Sequence, residues 1–341
     1  MAPITIAVDA MGGDHGLAVT LPAVAQFIKQ NQRAKVLLVG QEQAIRSQLA
    51  TFRLDNEARV SIIHASEVVA MDDPLTVALR QKRDSSMRIA AQLLKQQQAQ
   101  AMVSAGNTGA LMAVSRLVLR TLPGIDRPAI CAAIPTKRKH TYMLDLGANV
   151  EADAEHLLQF ALMGSAVAQA VDNNTNPTVA LLNIGEEEIK GNETIKAAAR
   201  LLEAHPSVNY IGYAEGDSMF DGIADVVVSD GFVGNVALKT MEGVASMIAD
   251  MLKKEIYASW PRKIAALLAK PIFTGLQHRA DPQRYNGASL IGLNGIVVKS
   301  HGGTSVEGFH AALQVAYNEA ERDVLSLISA ALEKSAATKS E

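Results

Sequence analysis

Cysteine is almost missing from this chain: among 341 residues only Cys131 carries a thiol. One cysteine cannot close an internal disulfide, and it excludes a zinc site built from clustered cysteines. Cys131 lies inside the apolar run Ala129–Ile134 and reads as a buried structural thiol, not a nucleophile. Aromatic residues make up only 4%, no basic stretch interleaves with them, and the net charge is −3, so nucleic acid is not an expected partner. Long apolar runs are missing as well. None approaches the roughly 18 residues that would suggest a bilayer span. The opening residues Met1–Asp9 lack the basic and apolar regions of a secretory signal, and the expected compartment is the cytoplasm. No G-x-G-x-x-G follows the first apolar run, and no G-x-x-x-x-G-K-[ST] occurs anywhere. Histidines never stand at H-x-x-x-H spacing, so no metal and no cofactor is expected.

What is present is a hydrophobic fraction of 48%, enough for a sizeable core, and a recurring unit. Ile4–Val8, Val36–Val39, Ala101–Val103, Thr178–Leu182, Asp225–Val228 and Ile296–Lys299 are short apolar runs. Each leads into a small or polar loop and then a helical pattern. Ala129–Ile134 and Met143–Leu146 flank the basic turn Lys137–His140 and are expected to pair as a hairpin. The alternation predicts an α/β fold, a three-layer, mostly parallel sheet covered by helices on both faces. In such sheets ligands bind beyond the carboxyl ends of the strands, and all the polar loops are expected at that one edge. No repeat or Pro/Ser-rich linker divides the chain. It reads as one integrated unit over 1–334, with 253–284 a protruding amphipathic segment and 335–341 a disordered tail.

Phosphate is held well at a helix N-terminus, where N–H groups and the dipole favour an anion and glycine lets the backbone approach. Ser104–Gly109 and Ser300–Ser305 each follow a strand and open a helix with glycines and hydroxyl or amide donors. One such loop is equally a tight strand-to-helix turn; several at one edge point to a site. Lys190 reads two ways, as a solvated loop lysine or as a cation that neutralises phosphate or polarises a carbonyl. Asn235 follows Gly234 at a helix start, where it either caps the helix or donates to a developing oxyanion. His15 and His301 are the histidines in strand-end loops and are the candidate acid/base groups. Asp217, Asp221 and Asp225 stand four apart, but Gly216 and Gly222 disfavour a helix there, so they read as turn or capping residues and not a metal cluster.

Several segments together resemble one family. They are Ile4–His15, Lys82–Met87, Ser104–Ala110, Asp145–Asn149, Leu182–Glu186 with Lys190-Gly191, Val228–Asn235 and Ser300–Gly303. The pattern is similar to the PlsX family of bacterial phosphate acyltransferases from about residue 4 to about 330, and weakest over 256–284. The resemblance implies the fold of phosphate acetyltransferases and of isocitrate and isopropylmalate dehydrogenases. It also implies a reaction in which inorganic phosphate attacks the thioester of a fatty acyl–acyl carrier protein. The acyl phosphate product would feed glycerol-3-phosphate acylation in phospholipid synthesis. A homodimer at the inner membrane surface, beside the downstream glycerol-3-phosphate acyltransferase, is implied too. Phosphate would then be the nucleophile, which agrees with the absence of a Cys–His pair and of metal spacing. Under this reading Lys190 and Asn235 meet the reacting phosphate or carbonyl, and His15 or His301 protonates the leaving thiolate. Binding residues would be Asp9, Gly12, Gly13, Ser104, Gly106, Asn107, Thr108, Gly109, Asn149, Asp230, Gly302 and Gly303.

Between Pro261 and Pro271, Ile264, Leu267 and Leu268 share one helical face, with Trp260 near its start and Phe273 beyond. From Lys253 to Arg279 there are six Lys/Arg, Arg262 and Lys263 among them, against one acid, Glu255. A short basic amphipathic helix is the signature of an interfacial anchor. A dimer interface and a dock for the acidic carrier protein are the alternatives, the latter open also to Lys137–His140. Two other readings of the whole chain stand beside the first: a short-chain phosphate acyltransferase using acyl-CoA, and a non-catalytic membrane-peripheral acyl or carrier-protein binding module. A metal-dependent decarboxylating dehydrogenase would need convergent acidic ligands and a nucleotide site that this sequence does not offer.

Overall fold

Strand β1 (Ile4–Asp9) is buried along almost its whole length, as a strand covered on both faces must be. A computed structural model describes residues 3–271 and 286–338. After β1 come α1 (Leu17–Gln30), β2 (Ala34–Gly40), α2 (Glu42–Leu49), β3 (Val60–His64), α3 (Leu75–Arg80), α4 (Ser86–Lys95), β4 (Ala101–Ser104) and α5 (Thr108–Leu119). The middle of the chain forms β5 (Ala129–Pro135), β6 (His140–Leu144), α6 (Ala154–Asp172), β7 (Thr178–Leu182), α7 (Glu193–Ala204), β8 (Asn209–Ala214) and β9 (Val226–Val228). The remainder is α8 (Gly231–Tyr257), α9 (Trp260–Leu268), β10 (Ala288–Ile291), β11 (Ile296–Lys299), α10 (Val306–Glu321) and α11 (Val324–Thr338). The last helix thus runs past residue 335, where the sequence suggests a loose tail.

The strands form one sheet in the order β3-β2-β1-β4-β11-β10-β5-β6-β9-β7-β8. Neighbours are parallel except in three consecutive pairs, β11–β10, β10–β5 and β5–β6. These reversals decide where the loops go. Strands β1 to β4 and β11 run one way, whereas β6, β7, β8 and β9 run the other. The expectation that every polar loop lies at one edge is therefore corrected: the carboxyl ends of β1, β4 and β11 share one edge, and those of β6, β9 and β7 share the opposite one. The physical cause is the β5–β6 hairpin. Its turn is closed by Lys139 N–H to Thr136 Oγ1 at 3.1 Å, and so short a turn joins only antiparallel strands.

Helices cover both faces. Phe27, Phe309 and Tyr317 from α1 and α10 pack with Ile6, Val8 and Val36 on one face of the β1 half. Met87, Ala91, Leu111 and Val114 from α4 and α5 cover its other face. Phe160, Met163, Leu202 and Ile328 from α6, α7 and α11 pack on the β7–β9 half. Cys131 is buried in that last cluster, in a strand, as its apolar surroundings suggest. Helix α8 departs from this pattern. Only Gly231 and Gly234 of its 27 residues are buried, so most of a rod about 40 Å long stands clear of the body. Val236, Val244, Met247, Ile248 and Met251 are exposed along it. No helix among the described residues is long and apolar enough to cross a membrane.

Candidate active site

At the first edge three loops press against one another. Added at Gly12, a Cβ would lie 2.9 Å from the Gly106 nitrogen; at Gly13, where φ is +87°, it would lie 2.9 Å from the Gly302 carbonyl oxygen. Asp14 N–H closes the contact by donating to Gly302 O at 3.0 Å. Most polar groups here are spent on holding the loops. Ser104 Oγ donates to buried Asp9 at 2.6 Å and accepts from Gly106 N–H at 3.0 Å. Asn107 caps α5 by accepting from Ala110 N–H at 2.9 Å, and its amide donates to Met71 O at 2.6 Å. Asn286, which sequence reasoning missed, donates to Ser300 and Thr304 and accepts from His301 N–H. Lys299, also missed, is buried and donates to the carbonyls of Ala105 and Ser300. Burial lowers its pKa to about 8, opposed by the nearby charges of Asp14 and Asp9. Burial pushes the Asp9 carboxyl up, opposed by the hydrogen bond from Ser104. Thr108, Gly109, Gly303 and the side chains of His15 and His301 face solvent.

At the second edge the organising group is Asp145, which opens the family segment Asp145–Asn149 but is not among the candidate site residues. Its Oδ1 accepts from the backbone of Ile130, Gly147 and Ala148 at 2.9, 3.2 and 3.0 Å. Its Oδ2 accepts from Asn149 N–H at 2.7 Å and from Asn149 Nδ2 at 2.9 Å. Burial raises the Asp145 pKa, opposed by these donors. Asn149 gives its other amide proton to Pro128 O at 2.8 Å. Both its side-chain protons are thus committed inside the protein, so Asn149 shapes the wall and does not donate to a ligand.

Helix α8 starts directly against this loop. Asp230 caps it by accepting from Val233 N–H at 2.8 Å, and Gly231 N–H donates to Asn149 O at 2.8 Å. A Cβ on Gly234 would overlap the Asp145 carbonyl oxygen, so only glycine allows this approach. Asn235 is set over Gly147, half-buried, with no hydrogen bond to its amide among the described residues. Its role as a helix cap falls away, since Asp230 caps that helix. Lys190 is exposed in the loop after β7, where Gly191, at φ +85°, bends the chain beside it and Asn192 caps α7. A cavity of about 590 Å³ opens at this same edge, lined by Arg116, Arg127, Ala148, Asn149, Val150 and Glu151.

The structure thus brings Lys190, Asn235, Asn149 and Asp230 to one edge, and Asp9, Gly12, Gly13, His15, Ser104–Gly109 and His301–Gly303 to the other. β4 alone spans about 13 Å, and β4 and β6 stand four sheet positions apart, about 19 Å. Glycine loops and histidines at the first edge therefore cannot complete a site around Lys190 and Asn235 of the same chain. Asp217 precedes and Asp221 ends a short 3-10 turn closed by Gly222 at φ +70°, in keeping with turn roles. Among the described residues no group of three His, Cys, Asp or Glu is placed to hold a metal. The basic turn is already paired: Lys137 with Asp221 at 2.5 Å, and Lys139 and His140 with Asp172 at 2.7 and 2.9 Å. Burial pushes the Asp172 carboxyl up, but the bonds from His140 and Lys139 outweigh it and hold the pKa at about 2. In α9, Trp260, Ile264, Leu267 and Leu268 are all exposed, Arg262 pairs with Glu255, and Lys263 lies 5.4 Å from the Tyr257 ring centre. Phe273 and the rest of 272–285 lie outside the described residues.

Comparison with known proteins agrees with this architecture. The chain is similar to a phosphotransacetylase from Streptococcus pyogenes, with a TM-score of 0.64 at 17% identity over 94% of each chain. It is similar also to the EutD phosphotransacetylase from Staphylococcus aureus, with a TM-score of 0.60 at 16% identity over 93% of this chain and 94% of that one. These likenesses concern the fold. A phosphate acyltransferase from Alcanivorax borkumensis is 62% identical over 97% of this chain and 98% of its own length. One from Legionella pneumophila is 54% identical over 96% of both. The family model described as "Fatty acid synthesis protein" matches residues 4–327. The chain belongs to that family, the PlsX family of phosphate acyltransferases that its motifs resemble, and is an enzyme.

Proposed function

We propose that this enzyme moves a long-chain fatty acyl group from the thioester of acyl carrier protein to inorganic phosphate, at the edge that carries Lys190 and Asn235. The end-to-end kinship with proteins named phosphate acyltransferase carries the reading. A phosphate oxygen attacks the thioester carbon, the C–S bond breaks, and the acyl phosphate leaves beside the carrier thiolate. Lys190 neutralises the phosphate, and the uncommitted amide of Asn235 donates to the carbonyl oxygen as it gains charge. Such a donor is worth about 10²–10³ in rate. Holding both reactants in line contributes up to roughly 7–11 kcal/mol. Neither His15 nor His301 reaches this edge, so the thiolate takes its proton from solvent, which its low basicity allows.

The product would serve glycerol-3-phosphate acylation in phospholipid synthesis. The exposed apolar positions of α8 support pairing with a second copy. The exposed apolar face of α9, with Arg262 and Lys263 beside it, supports contact with the inner membrane surface near the downstream acyltransferase. The deciding assay mixes the protein with acyl–carrier protein and phosphate and follows hydroxylamine-reactive acyl phosphate and free carrier thiol. Lys190→Ala and Asn235→Ala are each expected to lower turnover at least about a hundredfold. Near-normal turnover in both would refute the assignment.

A further inference from the structure

Arg116 and Arg127 come from different parts of the chain, the last turns of α5 and the approach to β5, yet they line one cavity of about 590 Å³. Neither forms an ion pair among the described residues. Arg127 is tethered by donating to the Glu151 carbonyl at 3.4 Å, which leaves most of its fork free. Glu151 also lines the cavity, but its carboxylate pairs with neither arginine, so it offsets one of two positive charges and the cavity keeps a surplus of one. The wall behind them is rigid, because Asn149 is fixed by Pro128 O and Asp145. Two guanidinium groups without carboxylate partners, lining one open pocket with a braced wall, match an oxyanion bound through paired N–H donors. Val150, exposed at the rim, adds an apolar border.

We propose that Arg116 and Arg127 form a phosphate-binding site at the edge of Lys190 and Asn235. The group it takes is either the acceptor phosphate itself or the phosphodiester of the carrier protein's prosthetic arm. This rests on the reading that phosphate acyl transfer occurs at this edge. Helix α5 then links the two edges: Asn107 caps its start at the first, and Arg116 delivers its charge at the second.

The test uses the full-length protein and the Arg116→Ala/Arg127→Ala double variant. Both side chains are exposed, so the variant is expected to fold, with a melting curve like that of the parent in phosphate-free buffer. Inorganic phosphate is expected to raise the melting temperature of the parent and not of the variant. Steady-state assays separate the two sources. A tenfold or larger rise in KM for phosphate alone assigns the acceptor; the same rise for acyl–carrier protein alone assigns the prosthetic arm. Glu151→Gln, which removes the one opposing charge, is expected to tighten the affected KM severalfold. A double variant whose phosphate-induced shift and both KM values equal those of the parent would overturn the site. A parent that binds phosphate through these arginines but makes no acyl phosphate would keep the site and sink the proposed reaction instead.

Discussion

Asn235 lies directly over Gly147: a Cβ at that glycine would come within 3.3 Å of the Asn235 Cγ and 3.4 Å of its Nδ2. The backbone of Gly147, at φ +125°, already disfavours any side chain. Gly147→Ala is therefore expected to cost about 1–3 kcal/mol in strain and to move the Asn235 amide. If Asn235 acts on the thioester, Gly147→Ala lowers kcat, and adding Asn235→Ala lowers it little further. A double-mutant cycle on kcat checks this; full additivity would separate the two residues.

Gly234 gives a sharper steric prediction. Its hypothetical Cβ overlaps the backbone oxygen of Asp145 and lies 2.8 Å from Ser229 Oγ, and backbone cannot step aside as a flexible side chain can. Gly234→Ala is expected to destabilise by about 3 kcal/mol, seen as a lower urea midpoint with an unchanged slope.

Glu319 makes stability depend on pH. Burial pushes its carboxyl from 4.5 up to about 7, opposed by the hydroxyl of Ser289. The folded state thus holds its proton more tightly than the unfolded one. The associated stability is fully present below about pH 4.5 and is lost as the pH rises through about 7, a swing of about 3 kcal/mol. Glu319→Gln stays neutral and still accepts from Ser289, so its melting temperature is expected to fall less between pH 4.5 and 8. Parallel curves for the two proteins would contradict this.

Cys131 is predicted to be chemically silent in the native state. Burial raises its thiol, and the charges of Glu319 and Asp145 push it the same way. Iodoacetamide is expected to leave the native protein unlabelled and to alkylate it fully in guanidinium. Cys131→Ser is expected to retain turnover, since no proposed step uses the thiol.

Leu267 and Leu268 carry the membrane prediction. Their exposures are 69% and 79%, so replacing both by glutamate removes nothing from the core. The double variant is expected to keep its melting temperature and to lose sedimentation with anionic vesicles. Undiminished vesicle binding would assign the α9 face to another role.

Some of the site was open to reading from local chemistry. Ser104–Gly109 announces a strand-to-helix turn, and the turn forms there with Asn107 as its cap. Gly234-Asn235 marks a helix that must start close to something, and it does. Asp145, Arg116 and Arg127 were harder to find, because the meaning of each depends on partners far along the chain or across a cavity. An aspartate ending a strand signals a turn, but nothing local says that Ile130 N–H will meet it.

By itself the sequence determined the alternation of apolar strands, polar loops and helices, the buried thiol and the β5–β6 hairpin, because periodicity, turn chemistry and solvation act over a few residues. Only the tertiary structure decided which loops share an edge. Strand direction is set by pairing between distant segments, and β10, four residues long and unannounced by any pattern, inserts antiparallel between β11 and β5. That insertion keeps β5 aligned with β1 and β4, and the hairpin then turns β6 and all its parallel partners over. The polar loops that look alike in sequence are thereby divided between two opposite edges.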